Sequence, residues 1–476
     1  MQNVVPPSTM HPNGHPEAAA AASRLIVVAN RAPMRKTDAG WEASVGGLAT
    51  AVLPVLETHG GVWVSMREDA DLPERHEHTH GQTPFAVRRV PLSDGEFDAY
   101  YYGMANRVLW PVSHYMIEHL TPRPDYMDAY RAVNRRFAEA VVEEYQPGDA
   151  VWIHDYHLML APHHVRRALP DASIALFWHI PWPSVEVFRV LPWAGELLHG
   201  LLGCDLIGFH VAEYVANFLE CVEVLLGAEV EDGVVHWQGR RIRVEAHPIG
   251  IDVARFEQMS AREETQRQAE ALRREVASDF LVVGVDRLDY TKGILARLLA
   301  FEQFLKRHPE YHGRITFYQI ATPSRTEVDS YQQLKRDVDE AVGRINGAFA
   351  RDAWVPVRYR YRTYTQEELC AFYRAADVAL ITPLRDGMNL VTQEFIASTE
   401  RGVLVLSELT GAGFLLPEAL LVNPYDRDAV ADALLEALTM DEHEKRECLH
   451  RLKQRTARLD VHRWADGFLT AMAAPA

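Results

Sequence analysis

Short apolar runs alternate along this chain with longer stretches of helical period. Leu25-Ile26-Val27-Val28-Ala29 is an unbroken apolar run of strand length, and Val151-Trp152-Ile153, Ile174-Ala175-Leu176-Phe177-Trp178 and Leu206-Ile207-Gly208-Phe209 repeat it. Runs without a polar face belong to strands covered on both sides, the habit of parallel sheets. Helical spacing fills the intervals, as from Leu48 to Leu56. This alternation predicts an α/β fold with helices on both faces of a parallel sheet. It halts at His247-Pro248-Ile249-Gly250-Ile251-Asp252 and then begins again. Phe280 to Val285, Ile315 to Ile320, Val378 to Ile381 and Val403 to Leu406 read as strands of a second sheet, with a helix from about Ile294 to Lys306. From Asp441 the chain is helical and charged, and Trp464, Phe468 and Leu469 are expected to pack back on the first unit. The expected architecture is two Rossmann-like, doubly wound domains facing across a cleft, 23–250 and 251–457, with 458–476 rejoining the first. Residues 1–22, rich in Ala, Pro and His, read as a disordered extension and lack the apolar core of a signal peptide.

Composition narrows the partners. The chain has 476 residues, which suits two domains, and its 48% hydrophobic content provides ample core. Lys+Arg 49 against Asp+Glu 66 leaves a net charge of −17. That excludes a general nucleic-acid or anionic-membrane binder but leaves room for a small basic pocket. Cys204, Cys221, Cys370 and Cys448 are scattered, without a CxxC pair, which suits a reduced, cytoplasmic setting and no disulfide or zinc framework. No apolar run approaches the ~18 residues of a membrane span. A homo-oligomer, dimer or tetramer, is expected.

Candidate chemistry falls at strand ends. Asp377 to Glu394 reads as strand, glycine turn and helix, and such a helix start offers unpaired N–H groups to a phosphate. Asp386 stands in that turn, where it could be a mere turn former. Arg31 follows the first strand, and Gly46-Gly47 precede a helix, a weak phosphate signal by themselves. Asp155 follows a strand and could cap a helix near Leu158 or point into a cleft. His179, between an apolar strand and a double-proline turn, is rigidly held. Arg287 and Lys292 straddle one loop and could share a diphosphate, and Arg325 follows the next strand. Tyr100 to Tyr102 and Trp110 are aromatics near a turn, core residues or a sugar platform. His76, His78 and His80 read as a solvated loop rather than a metal site. Arg31, Asp155, His179, Arg287, Lys292, Arg325 and Asp386 would line the cleft, and their charges suit a ligand with phosphates and sugar hydroxyls.

These motifs carry a resemblance. Val28-Ala29-Asn30-Arg31, Gly46-Gly47-Leu48, Val108-Leu109-Trp110-Pro111, Trp152 to His157, His179-Ile180-Pro181-Trp182-Pro183, Arg287 to Gly293, Thr322-Pro323-Ser324-Arg325 and Pro383 to Glu394 resemble, in order, the trehalose-6-phosphate synthase family of retaining glycosyltransferases. The family implies the GT-B architecture, with the active site between the domains. It also implies a nucleotide-glucose donor, UDP-glucose foremost, on the second domain. Arg287 and Lys292 would hold the diphosphate, with Leu390 and Val391 offering backbone N–H groups, Glu394 the ribose and Tyr364 near the base. Gly46 and Gly47 would approach the donor, and His179 and Asp386 would hold its glucose. Glucose 6-phosphate would be the acceptor, its phosphate gripped by Arg31 and Arg325 with Tyr101, its hydroxyls by Asp155, its pocket shaped by Trp110.

The implied chemistry is front-face transfer, with no metal and no cofactor, and Asp155, His179, Arg287, Lys292 and Asp386 as the catalytic set. Ala29 stands where the family more often has Ser, and Trp182 where it commonly has Phe; neither change removes a charge. No fused phosphatase domain is expected within 476 residues, so the product would leave phosphorylated. A glycerol 3-phosphate acceptor and a non-catalytic sugar-phosphate sensor are the alternatives. A dinucleotide oxidoreductase is disfavoured because no GxGxxG follows a strand.

Overall fold

The computed structural model describes residues 24–474, apart from 38–39, 44–46, 69–70, 80–82 and 326–327. The extension over 1–22, Gly46 and His80 therefore lie outside the described residues.

The apolar runs become strands. Leu25–Val28, Ala150–His154, Ser173–Phe177 and Leu206–Phe209 pair in parallel inside a ten-stranded sheet. Residues 25–28 are at most 2% exposed, which explains their lack of polar alternation. The margins of this sheet are antiparallel. Glu229–Glu231, Val234–Trp237 and Arg240–Ala246 form a meander at one edge, and Arg75–His78 pairs with Phe85–Val90 at the other. Asp232 and Gly233, at φ 50° and 80°, make a tight turn of the kind that joins antiparallel neighbours. The second sheet has six strands, ordered Val357–Tyr361, Ile315–Thr322, Phe280–Arg287, Val378–Ile381, Val403–Ser407 and Leu420–Val422, all parallel. Two parallel-dominated sheets with flanking helices are the GT-B arrangement.

The chain passes between the two sheets twice, and the passes lie side by side. Ile251 bridges Asp460 in parallel, and the Val461 N–H donates to the Ile251 carbonyl at 3.0 Å. The Val461–Ala473 helix then lies on the first sheet. Its Trp464 and Phe468 rings meet Trp152 at 5.3 and 5.1 Å, and Phe468 meets Phe177 at 5.3 Å. Each such buried aromatic contributes roughly 1.5–3 kcal/mol.

Two local readings differ from the structure. The aromatics Tyr100 to Tyr102 sit in a π-helix, Asp98–Leu109, that runs into the Trp110–Ser113 helix, not near a turn. The wider winding turns Tyr100, Tyr101 and Met104 inward, and Asn106 Nδ2 bonds the Tyr101 carbonyl at 2.7 Å. His76 and His78 lie on an edge strand rather than a solvated loop. Aromatic packing holds them there: Trp41 stacks on His76 at 5.1 Å and Phe85 on His78 at 5.3 Å. Among the described residues no three His, Cys, Asp or Glu gather to hold a metal ion.

A Cβ at Gly250 would lie 1.1 Å from the Leu459 carbonyl oxygen, inside the paired crossing. Backbone cannot yield as a flexible side chain can. Gly250→Ala should therefore cost about 3 kcal/mol or more, seen as a fall in thermal midpoint of several degrees against wild type. An unchanged midpoint would show that the two crossings do not touch this tightly.

Candidate active site

The functional side chains stand at the carboxyl ends of strands, where open parallel sheets leave a crevice. Ala150–His154 ends at Asp155, whose backbone takes φ 72° and ψ 171°, a region close to glycine-only. Its carboxylate does not cap the short helix that follows. It reaches the neighbouring loop and accepts the His179 N–H at 3.2 Å. Burial raises the Asp155 carboxyl to about 7, against the opposing pull of the Tyr156 and His179 backbone N–H groups and of Arg325 and Arg287. The His179 ring meets His154, Nε2 to Nδ1, at 3.1 Å.

The second sheet answers with cations. After Phe280–Arg287, Asp289 caps Tyr290–Lys292 through the Thr291 N–H at 3.1 Å, and Gly293 takes φ 64°. Lys292 then reaches Asp386 in a buried ion pair. Asp386 is fully engaged: Oδ2 also accepts Asn389 Nδ2 at 3.0 Å, and Oδ1 accepts the Gly387 N–H at 2.9 Å. Burial pushes the Asp386 carboxyl up, but the Lys292 ammonium outweighs it and the net shift is down. Arg325, at φ 46°, pairs with Asp289 at 2.9 Å and lies 4.0 Å over the Trp110 ring. Asp289 is depressed to about 2, since Arg325, Arg287 and Lys292 together overcome its burial. Arg287 faces the same Trp110 ring at 5.4 Å. Arg31 Nη2 donates to Tyr101 Oη at 3.2 Å. Burial raises Tyr101, but Arg325, Arg31 and Arg287 together bring its phenol below the ordinary value.

Beneath the cations lies a second buried pair. Arg297 bonds Asp286 at 2.7 Å and donates to the Lys292 carbonyl at 3.1 Å, which fixes the loop that carries Lys292. The Leu390–Ser398 helix starts at Asn389, φ 72°, whose side chain accepts the Thr392 N–H at 3.2 Å. Leu390 and Val391 are thereby left as first-turn N–H groups without intrahelical acceptors. Glu394, one turn on, is raised to about 7 by burial and accepts Tyr373 Oη at 3.0 Å.

The two halves meet in this cleft. A Cβ at Gly387 would fall 2.4 Å from the His179 carbonyl oxygen, so only glycine lets these loops touch. Tyr214 Oη donates to the Asp386 carbonyl at 3.1 Å, and Arg325 Nη2 meets Tyr156 Oη at 3.4 Å. Arg31, Tyr101, Trp110, Asp155, His179, Arg287, Lys292, Arg325 and Asp386 thus form one connected cluster. Gly47 opens the Gly47–His59 helix. Tyr364 stands apart, its ring under Arg362 at 4.0 Å and edge-on to Phe372 at 5.2 Å, in a side cavity of about 460 Å³ between the helices Glu263–Val276 and Gln366–Ala375.

Sequence reasoning passed over Asp289, Tyr156, His154, His210 and Arg297. The acidic residue inside the Arg287 to Lys292 loop was the available signal for Asp289, since a buried basic loop needs a counter-charge. Nothing in the spacing marks Arg297.

The fold and site define a GT-B glycosyltransferase. The chain belongs to glycosyltransferase family 20, whose family model matches residues 20–474. It is 45% identical over 469 residues to a bifunctional trehalose-6-phosphate synthase/phosphatase of Thermoproteus tenax, covering 94% of this chain and 63% of that relative. A trehalose-6-phosphate synthase of Mycobacterium avium is 41% identical, with 97% of each chain covered. Among solved structures, a UDP-forming alpha,alpha-trehalose-phosphate synthase from Burkholderia xenovorans in complex with glucose-6-phosphate superposes with a TM-score of 0.88 at 33% identity, covering 95% of this chain and 100% of that one.

Asp155 makes stability depend on pH in an unusual sense. Its folded pKa, about 7, lies above the ordinary 3.8. Between those values the folded chain keeps a proton that the unfolded chain has lost, so stability falls as pH rises through this window. Glu394 acts in the same sense. Buried His154, His157 and His210, held at about 3 to 4, act in the opposite sense below their ordinary 6.5, so the Asp155 share is read by difference: the midpoint of Asp155→Asn should gain on that of the wild type from pH 5 to 8. An equal slope in the variant would place the proton elsewhere.

Proposed function

We propose that this chain transfers glucose from UDP-glucose to the anomeric hydroxyl of glucose 6-phosphate, with retention, to give trehalose 6-phosphate. The observation that carries the reading is the convergence of Lys292, Arg287, Arg325 and Arg31 on one cleft beside the free amides of Leu390 and Val391. Asp386 and Asp289 balance two of these cations, and the charge of the other two, with the helix-start amides, is left for anionic ligands. The Burkholderia relative, UDP-forming and solved with glucose-6-phosphate, supports this choice of pair. In this reading the unit 251–457 holds the donor. Arg287, Lys292 and the helix start bind its diphosphate, Glu394 its ribose, and His179 and Asp386 its glucose. Tyr364 lies toward the base, and Gly46 and Gly47 approach from the first unit. The unit 23–250, rejoined by 458–476, holds the acceptor through Arg31, Tyr101, Trp110 and Asp155, with Arg325 reaching across to the phosphate.

The carboxylates favour front-face chemistry. A double displacement needs a free carboxylate below the anomeric carbon. Asp386 is already committed to Lys292, Asn389 and Gly387, and Asp155 is tied to the His179 N–H and held toward its protonated form. The bond from the anomeric carbon to the β-phosphate oxygen would break as the acceptor oxygen attacks the same face. That phosphate oxygen would take the acceptor's proton. Arg287 and Lys292 would stabilise the departing charge without a divalent ion.

Removing one such charge typically costs ~10²–10³ in rate. Arg287→Ala and Lys292→Ala should each lower turnover by about that factor, measured as nucleotide release with a panel of nucleotide-glucose donors and phosphorylated acceptors. Near-normal turnover would contradict the assignment.

Acceptor binding is tested most cleanly at Arg31, because Arg325 also neutralises buried Asp289. Arg31→Ala should raise the KM for glucose 6-phosphate about tenfold or more while leaving the donor KM within about twofold. An unchanged acceptor KM would put the phosphate elsewhere.

A further inference from the structure

His179 is held from three sides. Its backbone N–H donates to Asp155 Oδ1 at 3.2 Å, its carbonyl accepts from His210 Nε2 at 3.0 Å, and its own Nε2 faces His154 Nδ1 at 3.1 Å. A carbonyl can only accept, so His210 carries its proton on Nε2. The His210 Nδ1 is then a bare lone pair, buried and without a partner.

The contact with His154 is less obvious, because one proton lies between two nitrogens and either ring could own it. The far nitrogen decides. His154 Nε2 is buried without a partner, with the Trp152 ring 4.6 Å from its own. If His154 were the acceptor, that nitrogen would carry an N–H with nothing to donate to. One buried group is unpartnered in either case, and an orphaned N–H is rarer in proteins than an under-satisfied acceptor. A bare imidazole lone pair is already accommodated next door, at His210. His154 is therefore the donor, and His179 Nε2 accepts.

The proton on neutral His179 must then sit on Nδ1. That atom has no bonded partner among the described residues and is not among the sealed ones. Burial, reinforced by His154 and His210, holds His179 well below the usual histidine range, so the ring does not gain a second proton. We infer that His154 is a positioning residue that locks His179 as its Nδ1–H tautomer, with His210 fixing the backbone that carries the ring, so that His179 presents one N–H donor, and no lone pair, to a hydroxyl oxygen of the donor sugar. The sugar contact rests on the reading of His179 given under Proposed function; the tautomer does not.

The intact ligand-free chain, labelled with ¹⁵N-histidine, reports the tautomer directly, with His179→Gln supplying the assignment. Protonated-type Nδ1 and lone-pair-type Nε2 signals for His179 are expected, and the reverse pattern would overturn the inference. His154→Asn places an amide donor near the position of Nδ1, whereas His154→Phe keeps the ring volume and removes the donor. Both variants should keep the Nδ1–H signature, since Phe leaves Nε2 a bare lone pair against an apolar ring. With the His179 ring no longer held, the Phe variant should lower kcat/KM for UDP-glucose about tenfold, the loss of one hydrogen bond, with the KM for glucose 6-phosphate unchanged. Asn should restore most of that loss. A Phe variant with wild-type kcat/KM would show that His154 does not position His179 and would also sink the proposal. Absence of glucosyl transfer from any donor by the wild-type chain would instead refute the functional reading and leave the tautomer measurement standing.

Discussion

Four positive groups cannot share a partly desolvated cleft unless something balances them before a ligand arrives. Here the balance is local. Asp289 takes Arg325, Asp386 takes Lys292, and one layer below Asp286 takes Arg297. Each carboxylate sits at or just after a strand end, so the sheet itself sets the spacing of the charges. A buried pair of this kind adds little net stability, since desolvation cancels most of the attraction. Its value lies in direction: each ion's lone pairs and N–H groups are spent on fixed neighbours, and what remains points into the cleft. Arg325 spends its charge on Asp289 and lies over Trp110; among the described residues Arg287 and Arg31 make no ion pair, although the Glu68 carboxylate acts on Arg31 from nearby. The unpaired share is what an anionic ligand can still recruit.

The backbone is arranged to the same end. Asp155, Arg325 and Asn389 all adopt positive φ, and none is glycine. Each such residue costs about 1–3 kcal/mol. These three lie at strand-to-helix turns facing the cleft, where turning the side chain inward matters more than local comfort. Asp155 shows the logic best. A relaxed conformation would let it cap the next helix. The strained one carries its carboxylate across to the His179 N–H, which joins two loops of the first sheet into one wall.

Much of this was legible in the sequence, and the reason is that strand ends are legible. Unbroken apolar runs mark buried parallel strands, and the residue after each run must then lie at the carboxyl edge. That inference alone picks out Arg31, Asp155, His179, Arg287, Arg325 and Asp386, and the structure brings them together. What it could not show was pairing. Lys292 and Asp386 are 94 positions apart, and only the fold reveals that they neutralise each other. Asp289 looked like one charge among several in a polar loop. The π-helix at Asp98–Leu109 was illegible for a different reason: its five-residue hydrogen-bond step leaves no period that apolar spacing distinguishes from an irregular aromatic cluster. The antiparallel margins were missed because edge strands are short and half polar, as Arg75–His78 shows.

The apposition of Gly387 and His179 explains why the two halves must be read as one site. A carbonyl from the first unit and a glycine from the second touch so closely that no side chain could stand between them. On one side of that contact hang the histidines and Asp155; on the other hang Asp386 and, through it, Lys292. Moving either loop by the width of one methyl group would part the histidines and Asp155 from Asp386 and Lys292. Proximity effects are lost over displacements of that order. The close approach is therefore a constraint on the chemistry rather than a packing detail. It also explains why Asp386 is bonded on both oxygens: a carboxylate fixed so firmly holds the turn in register with His179 and keeps Lys292 in place.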